Sequence, residues 1–484
     1  MDFQQLVKSI GPLKLSPSAY DTAWLARLDG EIGQRALTWI KEHQLPDGSW
    51  GSSPAIYHHD QVVCTLSAMT TLLQAGESPD SPAIKRATFA VSKAIYGLSS
   101  DHCGPTVGFE LIVPSLLAEA QALGVDIDSP ELNNLLWARS SKLSALPDRR
   151  IDRRHTPSFS AEAVGQDHLN ILDADNLQAT NGSVAFSPSA TAFFARYVRS
   201  GDSAAMAYLQ DVVDAEGAVP YVGPIEIFDR GWALWNLSLN PDIAASLNGN
   251  IQDHVDCILG EWKRGEGTAS AVGLPLQDGD TTGIVFAALN RLGYDDLDVE
   301  GVLSYETAFC FRTYPLENDS STSANIHILD GLRQVLPDTH GSIQKILQFL
   351  RRTRTANLFW LDKWHTSPYY PTCHAVISLI GLDDELADQA VDWIVHTQRE
   401  NGGWGWVVPT AEETAYALQA LVMWAQHRSG VIHTDILRRG YDWLAAHQEE
   451  PYPPLWIGKS LYTPIIPVKA AILSALRLVE GVLP

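Results

Sequence analysis

A pattern of seven positions recurs near both ends of the chain with every spacing kept: Ala36, Trp39, Ile40, Gln44, Gly48, Trp50 and Gly51 return as Ala390, Trp393, Ile394, Gln398, Gly402, Trp404 and Gly405. Trp443, Leu444 and Gln448 make a weaker third copy. Each copy reads as an amphipathic helix ending in a glycine-containing turn. The glutamine falls at the helix end, where its amide can satisfy carbonyls without intrahelical partners while the later tryptophan stacks over it. A helix–turn unit of this size cannot bury its apolar face alone, so the copies must pack against one another or against similar helices. The repeat therefore constrains architecture rather than chemistry.

Between the copies, Asp60–Leu73, Thr281–Gly293, Thr410–Trp424 and Val468–Val479 carry apolar residues at helical spacing. Glycine and proline gather between such runs, as in Leu45–Pro54 and Glu449–Trp456. Alternation of period two is nearly absent. Short helices joined by short turns predict an all-α chain of two α/α barrels. The expected division is one barrel over residues 26–230 and a second over 1–25 plus 231–484, with the junction near Pro224–Asn240.

Lys plus Arg number 34 against 57 Asp plus Glu, a net charge of −23, which argues against nucleic acid and against anionic membrane surfaces. Hydrophobic residues at 45% supply a sizeable core. No run of apolar residues is long enough to span a membrane, and the start of the chain has no signal-peptide pattern. The five cysteines are scattered, with no Cys-x-x-Cys pair. That excludes a disulfide scaffold or a cysteine-based zinc site and suits a cytoplasmic location.

Asp278-Gly279-Asp280-Thr281-Thr282 places two acids two apart, just before an apolar helix. Asp280 or Thr281 can serve there as a helix N-cap. A calcium loop would need further acidic ligands, which are missing. The functional reading is a carboxylic acid held protonated, because two carboxyls in a dry site cannot both ionise cheaply. A neutral aspartic acid facing an apolar ligand can protonate a carbon–carbon double bond.

Ser18-Ala19-Tyr20-Asp21-Thr22-Ala23-Trp24 resembles the SAYDTAW signature of class II diterpene cyclases. Gln44–Gly51, Val107–Leu117, Asn181–Phe194 and Trp456–Tyr462 resemble further blocks of that family. The family's acid motif is Asp-x-Asp-Asp; here its fourth position is Thr281, a variant similar to the bacterial halimadienyl (tuberculosinyl) and kolavenyl-type diphosphate synthases. Asp362–Tyr370 and Thr410–Tyr416 resemble the same subgroup. The resemblance implies γ-type and β-type barrels in that order. It also implies cyclisation of geranylgeranyl diphosphate started by protonation, with the diphosphate retained.

By that resemblance Asp280 is the proton donor, Asp278 tunes it, and His327, in Asn325-Ile326-His327, holds its second oxygen. Lys142 and Lys459 would contact the diphosphate. Mg²⁺ would accompany it, with Asp101 on the metal side. Phe159 and Tyr221 stand where plant ent-copalyl synthases hold a basic water with His and Asn. Phenylalanine is no base, and tyrosine is a poor one near pH 7. Their faces can stabilise a passing cation, so deprotonation is expected late, after hydride and methyl shifts, giving a halimane- or clerodane-type skeleton. Asp383-Asp384-Glu385-Leu386-Ala387-Asp388 reads as an acidic helix start rather than an ionising metal motif. Two barrels account for the length without a third, ionising domain.

Three rivals follow from the same residues: a sesquiterpene cyclase making a drimenyl product from farnesyl diphosphate, a triterpene cyclase, and a barrel protein that sequesters a prenyl lipid without turnover. A cyclised diphosphate also implies a downstream phosphatase or class I synthase.

Overall fold

The computed structural model describes residues 3–11, 15–54, 56–127, 130–144, 146, 150–247, 251–315, 317 and 319–483. Six helices with nearly every residue buried close into a ring: α1 (Glu226–Ser238), α2 (Gly279–Arg291), α3 (Thr322–Val335), α4 (Tyr369–Leu379), α5 (Ala411–His427) and α6 (Ile465–Glu480). Each packs on the next, and α6 returns to α1. Their buried polar side chains, such as Asp280 and His327, therefore face other helices rather than water. Outside them lie amphipathic helices such as Gly341–Thr353, Asp384–His396 and Thr434–Ala446, which bury one stripe each. This is the predicted α/α barrel.

A second, smaller ring is built by Ala19–Leu25, His58–Gln74, Phe109–Ala122, the 3₁₀ stretch Thr156–Val164 and Pro188–Phe193. Here the expected domain boundary needs correction. Ala19–Leu25 lies wholly in the core of this first barrel, through Ala19, Tyr20, Ala23, Trp24 and Leu25. Among the first 25 residues, Leu6, Val7 and Ile10 join the second core. The cause is local: Ser18 caps the short helix by accepting from Asp21 N, and every residue of that helix is buried.

The recurrent pattern is a corner staple, with its parts exchanged relative to expectation. The indoles close the helix ends: Trp50 Nε1 donates to Ile40 O at 2.8 Å and Trp404 Nε1 to Ile394 O at 2.7 Å. The glutamines bridge onward, Gln44 to the carbonyls of Gly48 and Ala83, Gln398 to those of Gly402 and Ile436. Gly48 and Gly402 carry φ of +93° and +96°, and a Cβ on either would strike the backbone of Arg86 or Arg439. The third copy has Pro454 where the staple tryptophan would stand, and its Trp443 stacks on His447 as Trp39 does on His43. Trp360 makes it without a glutamine, donating Nε1 to Leu350 O at 2.8 Å.

The barrels are joined by an antiparallel hairpin, Trp456–Ile457 with Leu461–Tyr462. Leu461 N donates to Asp60 at 2.7 Å and Val107 N to Gly458 O at 2.8 Å, so this hairpin of the second barrel is hydrogen-bonded to the first. Among the described residues, no helix is long and apolar enough to cross a membrane.

Candidate active site

Asp280 is the second residue of α2. The N-cap of that helix is Asp278, whose Oδ1 accepts from Thr281 N at 2.7 Å; neither Asp280 nor Thr281 takes that place. Asp280 is thereby left free to face α3. The two helices approach closely because Gly283 and Gly331 sit between them: a Cβ on Gly283 would lie 2.8 Å from Ile328, and one on Gly331 2.9 Å from Phe286. That approach puts Asp280 Oδ1 2.5 Å from His327 Nδ1. His327 is fully buried, and Asp280 keeps 8% of its surface exposed. The predicted pair of Asp280 and His327 is therefore brought together.

Asp280 Oδ2 has a long contact of 3.3 Å with Ser323 Oγ. The same hydroxyl lies 2.8 Å from Asp362 Oδ2. Asp362 also accepts from Ser321 Oγ and from the N–H groups of Thr322, Ser323 and Trp364. A serine has one proton to donate, and the shorter contact claims it. Ser323 Oγ then turns a lone pair toward Asp280 Oδ2. A proton on Oδ2 suits that lone pair; a bare oxygen there repels it.

Rings surround the pair. Trp232, Tyr370 and Trp235 stand 5.6, 6.0 and 6.2 Å from the His327 ring. Trp232 Nε1 donates to the Tyr370 hydroxyl at 2.8 Å. From Tyr370 a file of rings runs through Trp456, Tyr462 and Tyr221 to Phe159, at spacings of 4.8, 6.2, 4.0 and 6.1 Å. Phe159 and Tyr221 are thus placed together where the barrels meet. Gly458 makes room for Tyr221, since a Cβ there would overlap its ring. Stacked and edge-on rings offer negative faces to a cation and no water to trap it.

Burial pushes the Asp278 carboxyl up to about 7, helped by the neighbouring Asp280 and opposed by its cap hydrogen bonds. Asp229 on α1 goes further, to about 8, again through burial. Among the described residues, neither of its oxygens has a hydrogen-bond partner. His374 on α4 is driven well below the ordinary histidine range by burial and by its neighbours His327 and His365.

Two expected sites, Lys459 and Asp101, are held by other groups of the chain. Lys459 is fully buried, and its ammonium donates at 2.7 Å to each of Glu162, Ser187 and Ser189. With all three donors used, it fastens the hairpin to the first barrel and has none left for a diphosphate. Asp101 Oδ2 accepts from His59 N at 2.8 Å and contacts His59 Nδ1 at 2.7 Å, which ties this carboxyl to the start of helix His58–Gln74. Lys142 is exposed and pairs with Glu110. Among the described residues, no three His, Cys, Asp or Glu side chains converge as a metal cage, so these residues do not fit a protein-held Mg²⁺. Asp383 caps the helix Asp384–His396, as the acidic helix start predicts.

Sequence reasoning passed over Ser323, Asp362, His374 and Asp229. His374 had a signal: His327 follows Asp280 by 47 residues and His374 follows His327 by 47, the length of one helical repeat of the barrel.

The model of the squalene–hopene cyclase C-terminal domain family matches residues 316–463. The chain is 42% identical to the type B diterpene cyclase of Mycobacterium tuberculosis, with 96% of each chain covered. It is 30% identical to an ent-copalyl diphosphate synthase of a Streptomyces species, over 95% of this chain and 92% of the other. Among solved structures, ent-copalyl diphosphate synthase from Streptomyces platensis superposes with a TM-score of 0.77 at 29% identity, covering 98% of both chains.

Proposed function

This chain belongs to the class II diterpene cyclases, and from that premise we propose that it cyclises geranylgeranyl diphosphate to a bicyclic, rearranged prenyl diphosphate of halimane or clerodane type. The observation that carries the chemistry is the Asp280 carboxyl, with Oδ1 clamped by His327, Oδ2 in only a long contact with Ser323, and aromatic rings around the His327 imidazole. The terminal alkene's π pair takes the proton from Oδ2, forming a C–H bond and leaving a tertiary cation and an aspartate. Two further π pairs close two carbon–carbon bonds. Hydride and methyl shifts move the charge until a C–H bond breaks, its electron pair becomes the new double bond and its proton passes to solvent, from which the Asp280 carboxylate is reprotonated for the next cycle. The carbon–oxygen bond to the diphosphate stays intact throughout.

His327 holds Asp280 Oδ1 before transfer and stabilises the carboxylate after it. The rings exclude water, which would otherwise capture the cation. Asp278 serves by capping α2 and so fixing where Asp280 points. Of the two lysines considered, Lys142 remains the candidate for the diphosphate, with Glu110 as the partner to be displaced. Mg²⁺ enters as the diphosphate's own counter-ion, and no step depends on it. A cytoplasmic setting agrees with five free cysteines. The product, still a diphosphate, calls for a phosphatase or an ionising synthase downstream.

The test is direct. The protein is incubated with geranylgeranyl and, separately, farnesyl diphosphate, the products are dephosphorylated, and their skeletons are determined by mass spectrometry and NMR. A rearranged bicyclic C20 alcohol is expected. A drimane alcohol as the main product, or binding without turnover, overturns the reading.

A further inference from the structure

The second ring nitrogen of His327 is not idle. His327 Nε2 lies 2.9 Å from His374 Nδ1, and both rings are fully buried. Among the described residues, His374 Nε2 has no hydrogen-bond partner. Around it stand Trp235, Tyr370 and Tyr416, with ring centroids at 4.2, 4.5 and 5.2 Å. The titratable groups that face His374 are His327, His365, Tyr370 and Tyr416. No carboxylate adjoins it to hold a second proton on the ring.

A neutral imidazole carries one N–H and one bare nitrogen. Two arrangements of the chain His374–His327–Asp280 are possible. In the first, His374 Nδ1–H donates to His327 Nε2, and His327 Nδ1–H donates to Asp280 Oδ1. The acid proton of Asp280 then sits on Oδ2, on the side away from His327. In the second, His327 Nε2–H donates to His374 Nδ1. His327 Nδ1 then faces Asp280 as a bare nitrogen, and the acid proton is spent on the short contact between them. An imidazolium at His327 has the same requirement as the second arrangement, because Nε2–H must again donate to His374 Nδ1. Both alternatives force His374 to carry its proton on Nε2, where no acceptor exists. A buried N–H with no acceptor is the rarer and costlier orphan. The contact between Ser323 and Asp280 favours the first arrangement independently, since it too asks for the proton on Oδ2.

We propose that His374 is a positioning residue which, by donating Nδ1–H to His327, fixes the His327 tautomer and so keeps the acid proton of Asp280 on Oδ2. This rests on the reading of Asp280 as the proton donor and adds a third member to its support.

Three variants test it. Asparagine at this position presents an N–H near the former Nδ1; glutamine presents one near the former Nε2; leucine presents neither. His374→Leu is expected to lower kcat about 100-fold with KM changed by less than about twofold, the pattern of a lost proton-transfer geometry rather than lost binding. His374→Asn is expected to recover most of that loss, and His374→Gln to remain with the leucine variant. Rescue by glutamine instead of asparagine, or a leucine variant with unchanged kcat, overturns the proposal. NMR of the wild-type protein with ¹⁵N-labelled histidine reads the tautomers without any turnover. Nδ1–H at both His327 and His374 is expected, and Nε2–H at His374 refutes it, even where a variant fails to fold. A wild-type enzyme with these tautomers but inactive on every prenyl diphosphate would sink the reading of Asp280 while leaving the tautomer assignment standing.

Discussion

The two barrels bury acids in different company. In the first, Asp21 accepts from Ser189 N and Ser18 Oγ, Asp60 from Ser52 N and Leu461 N, and Glu162 from Tyr20, Ser189 and Lys459. Each of these carboxyls is held by groups that cannot change protonation easily, and each ties two segments together. In the second barrel Asp280 faces an imidazole and a file of rings. A backbone N–H or a buried ammonium makes a carboxyl a fastener. An imidazole clamp on one oxygen, set among aromatic rings, leaves a carboxyl able to give a proton up from the other.

That contrast is sharpest if activity and stability separate cleanly. Asp280→Asn keeps the size and removes the acid; kcat should fall by about a thousandfold or more, with the melting temperature nearly unchanged, as measured by product assay and calorimetry on one preparation. A stability loss comparable to that of a fastener variant would erase the distinction.

Lys459→Met attacks the other side. It strands Glu162 in the barrel junction and should cost about 3–5 kcal/mol of stability, read by denaturant unfolding. Replacing Glu162 by leucine in the same chain should return much of it. If the single Lys459→Met variant instead kept full stability and lost only affinity for the diphosphate, the lysine would be a ligand after all.

Asp229 tests whether an acid without any partner behaves as a third class. Its carboxyl is pushed up to about 8 in the folded state. The folded protein therefore holds this proton more tightly than the unfolded chain, and stability from this group drains away as pH rises from about 4 to about 8. Asp229→Asn removes that loss. Its melting temperature relative to wild type should rise steadily between pH 5 and pH 8; a difference flat across that range would mean that Asp229 does not titrate there.

The smallest expected effect is on product rather than rate. Phe159→His places a base beside Tyr221 at the far end of the ring file. It should raise the share of unrearranged, copalyl-type product at the expense of the rearranged skeleton, with total turnover within about threefold of wild type. An unchanged product profile would remove Phe159 from product control.

The helices of both barrels were readable from periodicity because an inner helix is mostly apolar round its circumference and an outer one on a single face. The staple corners were readable from the repeat, although which side chain closed the helix was not: glutamine and tryptophan both carry an N–H, and only packing decides which reaches Ile40 or Ile394. Asp280 and His327 could be named from motif and resemblance. Lys459 illustrates the opposite case. A lysine in a glycine-containing turn reads as a free cation, yet its three partners lie 270 to 297 residues away, beyond any local pattern. Asp101 misled in the same way, its partner His59 lying 42 residues back.

What the amino-acid order determined by itself was the alternation of buried and half-buried helices, the corner turns and the presence of an acid at the mouth of an apolar helix, because each depends on side chains within a few residues of one another. What only the folded chain decided was the use of each acid and base. Protonation and hydrogen bonding answer to neighbours a few ångströms away, and closing a barrel makes neighbours of residues one or more whole repeats apart.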